Sequence, residues 1–162
     1  MVTTSAKRLK SAAGFTLVEV MVATLILLVV VLGTSGYRYY AALDARKADM
    51  RSNAARIALL LCENWRGVQG AATYDPTAYF ASDLSITAIT LPSELVYAGF
   101  TPLGAYKVVS NGVNYYPVLL WKDVSTGFRA LNIVVYWSQS GQAATSIADA
   151  DKPFKLTAYT TY

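Results

Sequence analysis

From Phe15 to Leu32 the chain is apolar at every position except Thr16, Glu19 and Thr24. As a helix this block spans about 27 Å, close to the ~30 Å hydrocarbon core of a bilayer. Beyond Leu32 helical spacing persists but becomes one-sided. Tyr37, Tyr40 or Ala41, Asp44 or Leu43, Ala48, Arg51, Ala55, Ala58, Leu61 or Cys62 and Trp65 mark a stripe in which small and apolar residues dominate. The first proline is Pro76. The pattern predicts one helix from about Phe15 to Trp65, roughly 75 Å long, whose first half is membrane-embedded and whose second half packs on something outside. Gly33 and Gly36 mark the changeover, each costing about 1 kcal/mol of helix propensity relative to alanine. They are a candidate helix hinge, with a simple membrane exit as the alternative.

Glycine, proline and polar residues gather in RGVQGAATYDPTAYF, so the helix ends near Gly67 to Gly70. A short strand at Ser85 to Leu91 and a helical turn after Pro92 are weaker readings. In YKVVSNGVNYYPVLLW, Asn111-Gly112 between β-rich runs predicts a type I′ hairpin, and Pro117 predicts an edge strand or a bulge. FRALNIVVYWS alternates Leu131, Ile133, Val135 and Trp137 on one face; the polar turn QSGQ and a loop then lead to a partner strand, FKLTAYTTY. The expected class is α+β: one long N-terminal helix covering an antiparallel sheet of about four strands.

Composition sharpens this picture in two ways. The chain is 54% hydrophobic, and its net charge of +4 is concentrated at the start. Lys7, Arg8 and Lys10 precede the apolar block without an accompanying acid, and residues after 14 carry 11 basic against 10 acidic side chains. Charge therefore gives no support to a nucleic-acid surface. The three cations instead orient the span, N-terminus in the cytoplasm and C-terminal part outside. With no histidine and only Cys62, a zinc site, a histidine-based triad and an intramolecular disulfide are excluded. No cofactor is called for. Asp149 and Asp151, with Asp123, lack a full calcium ligand set and read as a solvated turn. Tyr37, Tyr39 and Tyr40 suit an interfacial belt, Trp121, Tyr136 and Trp137 suit sheet packing, and Cys62 suits a buried thiol.

Glu19 needs a specific account, because an ionisable group inside a span is by default functional. An ordinary secretory signal has a shorter apolar region, free of acids, so that reading is weak. KRLKSAAGFTLVEVMVATLILLVVVLG closely resembles the class III signal of type IV prepilins and pseudopilins: a short basic leader ending in glycine, then phenylalanine, a few apolar residues and a glutamate. The resemblance implies cleavage between Gly14 and Phe15 by a prepilin peptidase, which also methylates the new Phe15 amine, and it makes Glu19 the family's assembly residue. Glu19 lies about 6 Å of helix rise from that amine. One helix cannot easily bring its own pair together squarely, whereas a neighbour displaced by that rise can. At ~4 Å the pair attracts by about 1 kcal/mol in water-like surroundings and ~4 at an effective dielectric of 20. Desolvation offsets part of this, so the pair sets the stagger of subunits more than it supplies affinity.

The resemblance further implies a leader at residues 1–14, a transmembrane and filament-core half-helix at 15–36, an amphipathic half-helix at 37–66 and a periplasmic globular region at 67–162. The expected protein is a non-enzymatic minor pilin or pseudopilin. Its partners are the peptidase, other pilin or pseudopilin subunits and an inner-membrane assembly platform, with no specific nucleic acid. It is held in the bacterial inner membrane before entering a filament. Gly36 stands where many major subunits have proline, and the lone cysteine cannot close a C-terminal disulfide loop; both departures favour a minor subunit. RSNAARIALLLCENWRG and NIVVYWSQSG loosely resemble the PilV-type group. Competing expectations are a pseudopilin of type II secretion or DNA uptake and, from another class, a signal-anchored extracytoplasmic binding protein or enzyme.

Overall fold

A computed structural model describes residues 14–80, 84–92, 97, 99–139 and 144–162. The chain divides into two compact units, one up to Asp44 and one from Ala45 to Tyr162. The element common to both is α1, Leu17–Gly67, continuous as α-helix through Gly33 and Gly36. In the first unit its hydroxyls turn back onto the helix. Thr24 Oγ1 donates to the Val20 carbonyl at 2.6 Å, Thr34 Oγ1 to Val30 at 2.9 Å and Ser35 Oγ to Val31 at 2.8 Å. These three hydroxyls thus find their partners within the helix, which suits them to hydrocarbon.

The second unit is α+β. A short helix α2, Pro76–Tyr79, is followed by strands β1 (Ile86–Ile89), β2 (Thr101–Ser110), β3 (Val113–Ser125), β4 (Phe128–Trp137) and β5 (Lys152–Thr161). They form one antiparallel sheet in the order β1-β2-β3-β4-β5. The sheet has five strands rather than about four; the extra one is β1, inside the weakly signalled stretch at Ser85 to Leu91. The helical turn expected after Pro92 and residues 140–142 of QSGQ lie outside the described residues. Asn111 and Gly112 join β2 to β3 with φ of 50° and 73° and Ser110 paired with Val113, a two-residue hairpin loop in the left-handed conformation that type I′ requires.

Of the two readings of Pro117, the edge fails and the bulge is present further along its strand: Pro117 sits in the middle strand of the sheet, paired with Val135 of β4, and β3 shifts register between Asp123 and Ser125. On the β2 side the paired register passes from Val108↔Tyr115 to Ala105↔Val118, leaving Tyr116 and Pro117 without a ladder partner. The register is the same on both sides of this gap, which coincides with the N–H that Pro117 lacks.

One face of the sheet meets α1. Met50, Ala54, Ile57, Ala58, Leu61, Cys62 and Trp65 pack with Val108, Tyr115 and Leu119 and with the alternating Leu131, Ile133, Val135 and Trp137 of β4. The buried stripe differs from the expected one before Ala58: Ala48 and Arg51 are exposed, while Met50 and Ala54 face the sheet. Between residues 44 and 55 alanines lie all round the helix, so only the larger Met50 and Ile57 reveal the packed side. The opposite sheet face is also covered. Tyr116, Val118, Leu120 and Val134 form a second core with Ala144 and Ile147, and Tyr116 Oη donates to the Ala144 carbonyl at 2.7 Å.

The end of α1 is pinned to the sheet. Gly70 N–H donates to the Trp65 carbonyl and Gln69 N–H to Arg66, both at 2.9 Å, the paired bonds of a Schellman stop. Arg129, 7% exposed, donates to the Gly70 carbonyl at 2.8 Å and to Asp123 Oδ1 at 2.7 Å, with its guanidinium 4.2 Å from the ring centres of both Trp121 and Tyr162. This sandwich holds the guanidinium by cation–π attraction on both faces. Gly70 has a φ of +66°, and a Cβ there would come within 2.8 Å of Thr160 Cγ2 and 3.1 Å of Leu131 Cδ2. Gly70→Ala is therefore expected to lose about 1–3 kcal/mol, read as a lowered thermal unfolding midpoint of the full chain in detergent. An unchanged midpoint would show that the turn relaxes freely.

Candidate functional site

Gly14, Phe15 and Thr16 precede the helix. Thr16 begins it: its carbonyl accepts the Glu19 N–H at 3.1 Å and the Val20 N–H at 3.2 Å, and its Oγ1 accepts the Glu19 N–H at 3.3 Å. Thr16 is thus the N-cap and Glu19 the third helical residue. The Thr-Leu-Val-Glu spacing is the sequence signature of a capping box, a signal that the apolar pattern around it hides. Two consequences follow. The Gly14–Phe15 peptide lies outside the helix. Glu19 lies in the first turn, where the positive end of the helix dipole favours a carboxylate by about 0.3–1 kcal/mol.

Phe15, Glu19, Ala23 and Leu27, with Val20 and Thr24, line an open groove of about 380 Å³ along one side of this helix. Phe15 is 82% exposed, and no side chain from Phe15 to Leu32 is buried. Glu19 is the single charged group on this surface. The 18-residue window of highest hydropathy meets the length and composition needed to cross a membrane.

A family model described as the prokaryotic N-terminal methylation motif matches residues 9–35. The chain carries the class III signal of type IV pilins. No curated protein and no solved structure matches the chain. The signal takes in Gly14, Phe15, Glu19 and Gly33 and stops just before Gly36. Of its basic leader, Lys7, Arg8 and Lys10 lie outside the described residues. Gly14, Phe15 and Glu19 are brought together at one end of α1, whereas Gly33 and Gly36 lie within it, with nothing within 4 Å of a Cβ built on either.

The other residues singled out from the pilin-signal-bearing chain stand apart from this site. Cys62 is 1% exposed, and burial pushes its thiol pKa up. Asp149 accepts from the hydroxyls and backbone N–H groups of Thr145 and Ser146 at 2.7–3.2 Å, and these bonds hold its carboxyl below the usual range. Asp123 is likewise lowered by its bonds to Arg129, and Asp151 Oδ1 accepts the Gln139 N–H at 2.8 Å. Among the described residues no three His, Cys, Asp or Glu side chains converge as metal ligands.

Thr16→Ala removes the cap bond, worth about 1 kcal/mol, so the Glu19 amide of the full chain in micelles should exchange its hydrogen several-fold faster. Unaltered exchange would show that the carbonyl bonds alone hold the first turn.

Proposed function

We propose that this chain is a minor subunit of a type IV pilus or a related pseudopilus, cut between Gly14 and Phe15, methylated on the Phe15 amine and assembled through the apolar half of α1. The observation that carries this reading is the methylation motif lying on a helix whose apolar surface from Phe15 to Leu32 is uncovered. Cutting after Gly14 leaves Thr16 as the cap and places a cationic amine beside a helix N-terminus, where the dipole repels it. A carboxylate at that level is the natural counter-charge. Glu19 of a neighbouring subunit, staggered by about one turn, supplies it.

Gly36 in place of the major-subunit proline, and the single cysteine, favour a minor subunit. The second unit then serves as a folded body carried by the filament rather than as an enzyme. In the cell the chain waits in the inner membrane with its leader cytoplasmic, and the peptidase and the assembly platform are its first partners.

Intact mass and N-terminal sequencing of the membrane-extracted protein test the processing step directly. The expected chain begins at N-methylated Phe15; one beginning at unmethylated Met1, or near Gly36, would contradict the reading. Glu19→Ala should leave insertion and cleavage largely intact while lowering incorporation into filaments. Normal incorporation beside wild-type partners would remove Glu19 from the assembly mechanism.

A further inference from the structure

We infer that residues 156–161 of β5 form a docking edge for an uncharged, extended segment of a different polypeptide, added antiparallel to the sheet. The edge lies wholly within the second unit. Which backbone groups are open there follows from the register. β4 and β5 pair without a shift from Trp137↔Lys152 to Phe128↔Thr161, and just beyond that ladder the Tyr162 N–H donates to the Gly127 carbonyl at 3.2 Å. Bonding alternates along an antiparallel strand, so Leu156, Ala158 and Thr160 turn their N–H and C=O groups toward β4. Thr157, Tyr159 and Thr161 turn theirs away from it. β5 is the last strand, and these outward groups have no strand partner. Among the described residues only the Thr161 carbonyl finds another donor, Thr160 Oγ1 at 3.2 Å.

The two halves of β5 differ. Pro153 and Lys155 stand at outward positions in the first half, and a missing donor and a charge are what keep an edge from pairing. The second half has neither. The opposite edge of the sheet is β1, whose four residues make it too short to invite a partner. Bulky side chains also leave the open half of β5 clear. Tyr159 stacks on Phe128 of β4, with ring centres 5.4 Å apart and planes 5° from parallel. Tyr162 lies over the Arg129 guanidinium at 4.2 Å, so both rings lean inward over the sheet. Leu156 and Ala158 pack into the core on the α1 side, which holds the strand extended.

Alternating donors and acceptors at strand spacing fit another extended backbone, which supplies the affinity in strand addition. Thr157, Tyr159 and Thr161 are exposed on the sheet face opposite α1, and β-branched or aromatic residues of an added strand suit them as cross-strand neighbours. No side chain within this stretch carries a charge to balance one on the occupant, so the segment is uncharged. A second copy of the chain is the alternative. Antiparallel pairing of two identical edges has its two-fold axis normal to the sheet, which reverses the sheet-packed part of one α1 against the other. Chains anchored in one membrane by the same end share one direction. The choice of a different polypeptide therefore rests on the membrane anchoring proposed above.

The test uses the full chain in detergent micelles and the blocked peptide Thr-Val-Thr-Tyr-Thr-Val-Thr, with two analogues, one N-methylated at every residue and one with Glu in place of each Val. The parent peptide should bind at least about tenfold more tightly than either analogue. It should also slow hydrogen exchange at the Thr157 and Tyr159 amides while leaving Leu156 and Ala158, already bonded to β4, unchanged. Thr157→Pro removes an outward donor and no bond to β4, and Pro153 shows that such a position accepts the ring. Thr157→Lys adds a charge at the same exposed site. Each should lose about tenfold in affinity, with unchanged thermal unfolding confirming the fold. Equal binding of an analogue, unslowed exchange, full affinity in the folded variants, or a dimer of the chain that protects these amides and dissociates in Thr157→Lys would each overturn the inference. The anchoring reading is decided separately, by the N-terminal sequence of the membrane-extracted chain.

Discussion

The structure depends first on an apolar helical surface that its own chain leaves uncovered. Fourteen large hydrophobic side chains lie between Phe15 and Leu32, each at least half exposed. Burying such a side chain is worth about 1.5–3 kcal/mol, so together they represent tens of kcal/mol. That exceeds the ~5–15 kcal/mol of net stability typical of a whole domain. Water is therefore not the environment of this segment. Lipid or a bundle of like helices must take its place, and the span's hydroxyls, already bonded to their own helix, suit either one.

The same α1 meets a second demand after Ala45. From Met50 to Trp65 it exposes one side and buries the other against a sheet whose two faces are both covered. Small alanines at 54 and 58 let the helix approach closely, and Trp65 fills the space at its end, its indole N–H donating to the Ala71 carbonyl at 2.9 Å. The Schellman stop and the Arg129 clasp then turn the chain at the sheet's edge. One continuous helix thus carries two unlike surfaces, one apolar on all sides and one amphipathic.

How much of this was legible in the sequence depended on whether a signal was local. The apolar block, the Asn111-Gly112 hairpin and the alternation along β4 are local patterns, and each appears where its spacing puts it. Pro117 signalled an edge or a bulge; the bulge lies further along β3, between Asp123 and Ser125, and only the assembled sheet reveals that the strand is central. The helix stripe was misplaced where alanines on several sides blur the period. Of the site, Gly14, Phe15 and Glu19 stood out by type and spacing. The capping role of Thr16 lay in the same four residues but was masked by the conspicuous acid.

Glu19 stands in the first turn of α1, where a carboxylate suits the helix N-terminus; in the proposed subunit it would also meet, after cleavage, an amine on the next subunit. Zero-length carbodiimide crosslinking of assembled filaments, followed by peptide mass spectrometry, tests that claim most directly. Isotopically mixed subunits distinguish bonds between chains from bonds within one. The account predicts an amide between the Phe15 amine of one subunit and the Glu19 carboxylate of another. Filaments that crosslink at other sites but never between these two groups would contradict it.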